Sequence, residues 1–237
     1  VAGFARAFNL MSSRLEATEA KRSSFLAEVT HELRTPLAII RGEAEAIADG
    51  VHPAGPEQVA RILAAARAVE SLVEDLGTLS MGDSGALILK REPVDVAVLI
   101  NESLGDLRPA ADAADLKLQA AVAEGLAPIP LDPARIRRVL HNVIQNALRH
   151  APQGGTVTVK AGPAEAGVAI TIRDTGSGIA PELLPHVFDR FVKDADSPGS
   201  GLGLAIARDV VEAHLGTIDA TSLLGEGTTI RIWLPVV

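Results

Sequence analysis

Cysteine is absent from the 237 residues, so disulfides and thiolate metal sites are excluded. Long apolar runs are missing too. None reaches the roughly 18–20 residues that a membrane-crossing helix requires, and the opening residues carry no signal-peptide pattern. Aromatic residues make up only 3%, against 47% hydrophobic. A core here has to be built from Ala, Leu, Ile and Val, which suits helices that meet through small interfaces. Positive charge is also short, with 22 Lys and Arg against 30 Asp and Glu and a net charge of -8. That argues against a nucleic-acid partner, whose phosphate backbone selects basic surfaces. It does not exclude a nucleotide, because backbone N–H groups and a metal ion can handle phosphate charge locally. No GxxxxGK[ST] occurs, so any phosphate site is not a P-loop.

What is present divides into two grammars. The chain starts without Met, inside what reads as a helix, as expected of a piece cut from something longer. Phe4, Phe8, Met11 and Leu15 form a heptad-like stripe. After the polar "EATEAKRSS" the stripe resumes at Leu26, Val29, Leu33, Leu37, Ile40, Ala44 and Ile47. "DGVHPAGPE", Asp49 to Glu57, has to turn, and Val59, Ile62, Ala66, Val69, Val73 and Leu76 give a second helix. Two helices on a short loop make an antiparallel hairpin whose apolar seam is uncovered. Two copies cover it as a homodimeric four-helix bundle.

"SMGDSG", Ser80 to Gly85, reads as a linker. Beyond it the pattern is mixed. "ALILKREPVDV" begins with a short strand. "DVAVLINESLGDLRPAADAA" is helical, and "KLQAAV" and "APIPLD" are strands. "DPARIRRVLHNVIQNALRHA" is a helix with Asp132 as N-cap and Pro133 at its first position. "TVTVKA" and "GVAITIRD" alternate with period two around "GPAEAG" and predict a hairpin. "GLGLAIARDVVEAHLG" is a helix, and "GTIDATS" and "TTIRIWLPV" are closing strands around "LLGEG". Without a regular βαβ repeat, this predicts an α/β sandwich with a mixed sheet.

Three stretches carry chemistry. "DTGSGIAPE" comes directly off a strand. Gly176 and Gly178 permit close backbone approaches there, and Asp174 can accept a hydrogen bond, for instance from an exocyclic amine. A plain Asp-Gly turn accounts for it equally. "SPGSGLGLAIARD" runs a glycine cluster, Gly199, Gly201 and Gly203, straight into a helix. That leaves N–H groups free for an anion, although loops before helices often use Gly anyway. "HNVIQNALRH" places Asn142 and Asn146 four apart on one helix face. Their amide oxygens are hard ligands suited to Mg²⁺ beside phosphates, with Arg149 in reach of a phosphate; an exposed polar stripe is the plainer account. In "FLAEVTHELRTPLAII" an oily helix carries His31, Glu32, Arg34 and Thr35 next to Pro36. Pro36 cannot donate to the Glu32 carbonyl, so a bend is expected there.

Taken in order, His-Glu-Leu-Arg-Thr-Pro, Asn-x₃-Asn, Asp-x-Gly-x-Gly, Phe-x-x-Phe and Gly-x-Gly-Leu resemble the sensor histidine kinases of two-component signalling. The resemblance covers almost the whole chain. It implies the end of a HAMP signalling module over residues 1–21, a dimerisation and phosphotransfer hairpin over 22–80, and over 86–237 an ATP-binding domain of the Bergerat type, similar to that of Hsp90, gyrase B and MutL. The fold class expected is therefore a helical hairpin forming a dimeric bundle, followed by an α/β sandwich.

By that resemblance His31 is the phosphoacceptor. Its neutral imidazole is a fair nucleophile near pH 7. Glu32 would hold the far ring nitrogen as N–H, and Glu32 and Thr35 would place a water for dephosphorylating the partner. Asn142 and Asn146 would lie at the Mg²⁺–phosphate site, with Arg149 near the phosphates. Asp174 would meet the adenine amine, with Gly176 and Gly178 lining the base pocket and His150 stacking on the base. Arg190 is a candidate phosphate contact. Gly199, Gly201, Leu202 and Gly203 would cover the phosphates, while Phe188 and Phe191 either pack the lid or are simple core. The implied cofactors are ATP and Mg²⁺. The implied partners are a second copy and a response-regulator receiver domain, with a full-length protein anchored at the cytoplasmic face of the membrane.

Two departures from the family pattern stand out: "VKDADSPGS" is a short lid, and Leu215 stands where a second Gly is more usual. Rival readings are a dimeric scaffold that no longer catalyses, and a MutL-like hydrolysing clamp. The clamp predicts Glu at position 142, where this chain has Asn.

Overall fold

The computed structural model describes residues 2–83, 88–193 and 200–236, with side chains placed from Ser23 onward and at Glu19. By compactness the chain divides into two units, residues 1–74 and 75–237.

Unit 1 is a helical hairpin. Helix α1 runs Ala2–Ala48 without a break through Pro36, and α2 runs Pro56–Asp83. The loop between them is clasped by charge. Glu43 accepts from Arg61 at 3.1 Å and lies 3.1 Å from His52 Nδ1, and Arg61 also donates to Glu57 at 3.0 Å. The stripe expected from Phe4 to Leu15 falls in helix, but its side chains lie outside those described. Leu26, Leu37, Ile39, Val59, Leu63 and Val73 are exposed apolar residues on the hairpin. Of the predicted stripes, Leu26, Leu37, Val59 and Val73 are thus exposed in a single copy, while others such as Leu33, Ile40 and Ile62 are half-buried and Ile39 and Leu63 lie off the stripes.

Helix α2 continues through Ser80–Asp83, where the sequence reads as a linker. Its last turns belong to unit 2. There Leu79 is fully buried, Asp75 pairs with Arg138, and Thr78 accepts from Arg135 at 3.1 Å. Among the described residues no helix is long and apolar enough to cross a membrane.

Unit 2 is an open-faced sandwich. Its elements after α2 are β1 (Glu92–Val94), α3 (Val96–Ala113), β2 (Lys117–Val122), β3 (Ile129–Leu131), α4 (Pro133–His150), β4 (Thr156–Ala164), β5 (Gly167–Asp174), α5 (Gly203–Ala213), β6 (Thr217–Leu223) and β7 (Gly227–Pro235). Strands β1 and β3 pair alone. The main sheet has the order β2-β4-β5-β7-β6, with β2 parallel to β4 and all other pairs antiparallel. It is therefore mixed, as expected. The strand expected from Ala86 falls partly outside the described residues; residues 88–91 are not strand, and β1 covers Glu92–Val94. The β4–β5 turn is tighter than "GPAEAG" suggests, because β4 continues through Pro163 and Ala164 and leaves Glu165 and Ala166 as the turn.

Period two decides which face is covered. Val157, Val159 and Ala161 of β4, Val168, Ile170 and Ile172 of β5, and Ile230, Ile232 and Leu234 of β7 are buried under the helices. Helix α4 answers with Ile136, Val139, Leu140, Val143, Ile144 and Ala147 at three-four spacing. Asp132 caps it, accepting from Arg135 N–H at 3.1 Å, and Pro133 sits in the first turn. Such a cap is worth about 1 kcal/mol.

The far end of α5 carries two features that periodicity does not show. His214 is buried, with its Nδ1–H donating to the Val210 carbonyl at 2.8 Å and its Nε2 accepting the Asp132 backbone N–H at 3.0 Å. It therefore ties the end of α5 to the start of α4. Leu215 follows with φ 63° in a Schellman turn, its N–H on the Glu212 carbonyl and the Gly216 N–H on the Val211 carbonyl. Its side chain is 68% exposed, so little burial offsets the strain.

Replacing Leu215 with Gly is expected to stabilise unit 2 by ~0.5–1 kcal/mol, relief of left-handed strain exceeding the added unfolded-state freedom; thermal melting reads it. The His214 pKa is lowered from 6.5, chiefly by burial, with the Arg91 charge adding and the Val210 carbonyl and Asp132 opposing. A depressed folded-state value means that the stability from the neutral ring is complete above about pH 6.5 and is lost as pH falls toward the folded value. His214→Phe should lower stability at pH 7 by ~1–3 kcal/mol, because the buried Asp132 N–H loses its acceptor. It should also show a shallower loss between pH 7 and 5 than the parent.

Candidate functional site

The inward alternation Ile170, Ile172, Asp174 carries a carboxylate to the covered side of the sheet, at the very end of β5. Asp174 is only 6% exposed. Two backbone donors compensate: Gly176 N–H at 2.8 Å and Thr228 N–H at 3.1 Å, both on Oδ1. Burial raises the Asp174 pKa, and these two N–H bonds, with the charge of His150, pull against that rise. With the recorded donors all on Oδ1, Oδ2 remains for a ligand donor.

Gly176 and Gly178 are required by the packing of this loop. A Cβ on Gly176 would lie 2.5 Å from the His150 carbonyl oxygen. Gly178 has φ 72°, and a Cβ there would run into the Leu223 carbonyl. The loop thus threads between the end of α4 and the β6–β7 turn, bringing His150, Asp174, Gly176 and Gly178 together. His150 and Arg149 close α4, and partial withdrawal from water lowers the Arg149 guanidinium pKa.

A second cluster forms where α5 starts. Asn142 and Asn146 are both half-buried on α4. The Asn142 Nδ2 donates one of its two N–H groups to the Gly203 carbonyl at 3.1 Å, which orients the amide and leaves Oδ1 as its acceptor end for a ligand. Leu202 precedes the helix with no side-chain cap. Its side chain is fully buried, so only its backbone can meet a ligand. Gly201, at φ 67°, lies against Phe191, where an added Cβ would come within 2.7 Å of the Phe191 Cα. The Phe191 N–H donates to the Gly201 carbonyl at 2.9 Å while Phe191 itself holds φ 61°. A bulky residue in that region is strained and is held only by such contacts. Phe188 and Phe191 are half-buried, between the lid and core readings. Arg190 pairs with Asp209 of α5 at 3.7 Å. Gly199 lies outside the described residues.

On unit 1, the His31 ring is 76% exposed on α1, and its Nδ1 lies 3.9 Å from Glu32 Oε1. That distance allows electrostatic attraction but exceeds a hydrogen bond. Adjacent helix residues do not face one another, so the clasp expected of Glu32 is not formed in this conformation. Thr35 is exposed one turn further on.

Sequence reasoning did not single out His214, Ser222 or Thr228. Each acts on a partner more than fifty residues away or across a strand turn, and no local spacing announces such a pairing. Leu215 was noticed only as a departure.

Two family models match parts of the chain. Residues 131–237 match the family described as histidine kinase-, DNA gyrase B-, and HSP90-like ATPase, and residues 21–85 match the His Kinase A (phospho-acceptor) domain. The signal transduction histidine-protein kinase BaeS of Escherichia coli K12 is 38% identical over an alignment 237 positions long that covers 98% of this chain and 50% of BaeS. The chain thus spans half the length of that relative. Among solved structures, the Acinetobacter baumannii histidine kinase AdeS aligns with a TM-score of 0.74 at 29% identity, over 87% of this chain and 98% of AdeS. The mycobacterial sensor histidine kinase MprB aligns at 34% identity and TM-score 0.55, over 61% of this chain and 97% of MprB.

Proposed function

This chain belongs to the sensor histidine kinases, and on that ground we propose that its two units act in sequence. Unit 2 binds ATP, His31 takes the γ-phosphoryl group, and the phosphohistidine passes it to an aspartate of a response-regulator receiver domain. In the first transfer a ring nitrogen of His31 supplies the electron pair for the new N–P bond. The bond from the γ-phosphorus to the bridging oxygen breaks, and ADP leaves with that pair. A Glu32 carboxylate drawn closer to Nδ1 than the 3.9 Å of this conformation would hold the proton there and leave Nε2 as the nucleophile. In the second transfer the receiver's carboxylate displaces the imidazole.

The observation that carries this reading is Asn142. Where the hydrolysing relatives of this fold hold a Glu base, this chain has an amide locked onto the Gly203 carbonyl. An amide cannot take a proton from water, so the bound phosphoryl is kept for the imidazole. Asp174, through Oδ2, accepts the exocyclic amine of adenine. Gly176 and Gly178 line the base, with His150 beside it, and the backbone N–H groups from Gly201 to Gly203 face the phosphates together with Arg149 and Arg190. The Asn142 and Asn146 oxygens fit a hard divalent cation, and the bond from the Asn142 nitrogen to Gly203 sets which end of that amide is the oxygen. Mg²⁺ would be held there with phosphate oxygens, and when bound it neutralises charge on the transferring group.

The exposed apolar residues of the hairpin fit a second copy in a four-helix bundle. Glu32 and Thr35 suit a water-positioning role in dephosphorylating the regulator. A HAMP module ending near residue 21, and anchoring at the cytoplasmic face of a membrane through a part outside this chain, complete the reading.

Incubated with γ-labelled ATP and Mg²⁺, the chain should acquire acid-labile, base-stable label that His31→Gln abolishes. A correctly dimeric protein that takes up no label would overturn the kinase reading. ATP affinity should fall as pH drops through the acid range, with its inflection above the ordinary carboxylate value, because the Asp174 pKa is raised and protonation, falling on Oδ2 while two N–H groups hold Oδ1, turns the ligand-facing oxygen into a donor. Asp174→Ala should weaken ATP about 10- to 100-fold and remove that inflection; calorimetric titration across pH reads both.

A further inference from the structure

Asp174 is aimed by a loop and a turn that are far apart in sequence and joined almost entirely by backbone. Gly225 N–H donates to the Ser177 carbonyl at 2.7 Å, and Thr228 N–H donates to Asp174 Oδ1 at 3.1 Å. Gly227, at φ 98°, passes so close that an added Cβ would strike the Asp174 carbonyl. One side chain enters this seam. Ser222, near the end of β6, accepts the Ile179 N–H at 2.8 Å, donates to the Gly227 carbonyl at 2.9 Å and lies 3.0 Å from Thr228 Oγ1.

Proton counting assigns these bonds. The Ser222 hydroxyl has one proton, and a carbonyl can only accept, so that proton goes to Gly227. The Thr228 hydroxyl must then donate to Ser222, whose Oγ also accepts from Ile179. Ser222 is thereby saturated and bridges the exit of the Asp174 loop to the first residues of β7.

We propose that Ser222 is a positioning residue for base selection: its hydroxyl holds the Asp174 loop against the β6–β7 turn, so that Oδ2 presents a fixed acceptor to an exocyclic amine and refuses a carbonyl oxygen. The proposal rests on the reading of Asp174 as the acceptor for the base. Adenine carries an amine at position 6 where guanine carries an oxygen. A carboxylate pinned through Oδ1 cannot swing away from that oxygen, and a free loop lets it reach the N1–H and N2 amine of guanine instead. Ser222 touches no nucleotide. It acts by keeping Thr228 N–H and Gly176 N–H both on Oδ1.

The experiment is a competition titration of ATP and of GTP against a fluorescent ATP analogue, on this chain with Mg²⁺, for the parent, Ser222→Ala, Ser222→Thr and Asp174→Asn. The expected result for Ser222→Ala is a fall of about five- to tenfold in the preference for ATP over GTP, the size of one lost hydrogen bond, with GTP affinity held or raised. Ser222→Thr, which keeps the hydroxyl, should restore the parent preference. Equal loss for both nucleotides, or an unchanged preference, overturns the proposal, since a merely structural role would weaken both alike. Should Ser222→Ala prove unfolded by circular dichroism, Ser222→Cys, which keeps the shape and surrenders most of the hydrogen bonding, reads the same ratio. If Asp174→Asn leaves the preference untouched, the reading of Asp174 itself fails, whatever Ser222 shows.

Discussion

Unit 2 is organised around a carboxylate buried at the end of a strand. An ionised Asp174 withdrawn from water is destabilising unless donors reach it. The two that do come from opposite sides: one from its own loop, one from the first turn of β7. For both to reach the same oxygen, the β5 exit and the β6–β7 turn have to lie in backbone contact. Gly178 and Gly227 are there because a side chain at either would hold the two segments apart. The Asp174 loop and the β6–β7 turn are thus one construction, and charge satisfaction is what joins them.

The same logic extends along the helices. Helices α4 and α5 meet at both ends through a side chain on a backbone group: His214 on the Asp132 N–H, and Asn142 on the Gly203 carbonyl. Apolar packing between them is non-directional and leaves their relative sliding loosely determined. Hydrogen bonds at the two ends set that register. The glycine-led start of α5 is therefore delivered beside Asn142 by a contact eleven residues further down the helix, at His214.

Much of this was legible in the sequence wherever the cause is local. Asp132 before Pro133, the three-four spacing of α4, and the alternation that sends Asp174 inward are all short-range. So are the glycines around Asp174, although their strict need comes from distant carbonyls. Two of the breaks in legibility come from tertiary partners overriding local propensity, and a third from local helix geometry. Ser80–Asp83 reads as linker yet stays helical, adjoining Leu79 buried in unit 2. "GPAEAG" reads as loop, yet Gly162, Pro163 and Ala164 pair with β5 because their neighbours are already in register. Glu32 beside His31 suggests a clasp, but helix geometry points consecutive side chains apart, and the 3.9 Å separation follows.

Strain in unit 2 is placed unevenly, and its placement separates two kinds of departure. Leu215 and Phe191 both hold φ values that favour glycine. Leu215 ends α5 in solvent, touches neither cluster, and its turn closes by hydrogen bonds that any residue can make. Its strain is a local concession of the chain, which glycine would relieve. Phe191 is different. Its N–H is bound to the Gly201 carbonyl, and Gly201 in turn has no room for a side chain because Phe191 lies against it. The strain at Phe191 is therefore held by the segment that leads into α5. Relaxing it requires that segment to move, so a change at Phe191 is transmitted to Gly203 and Asn142, while a change at Leu215 stays where it is made.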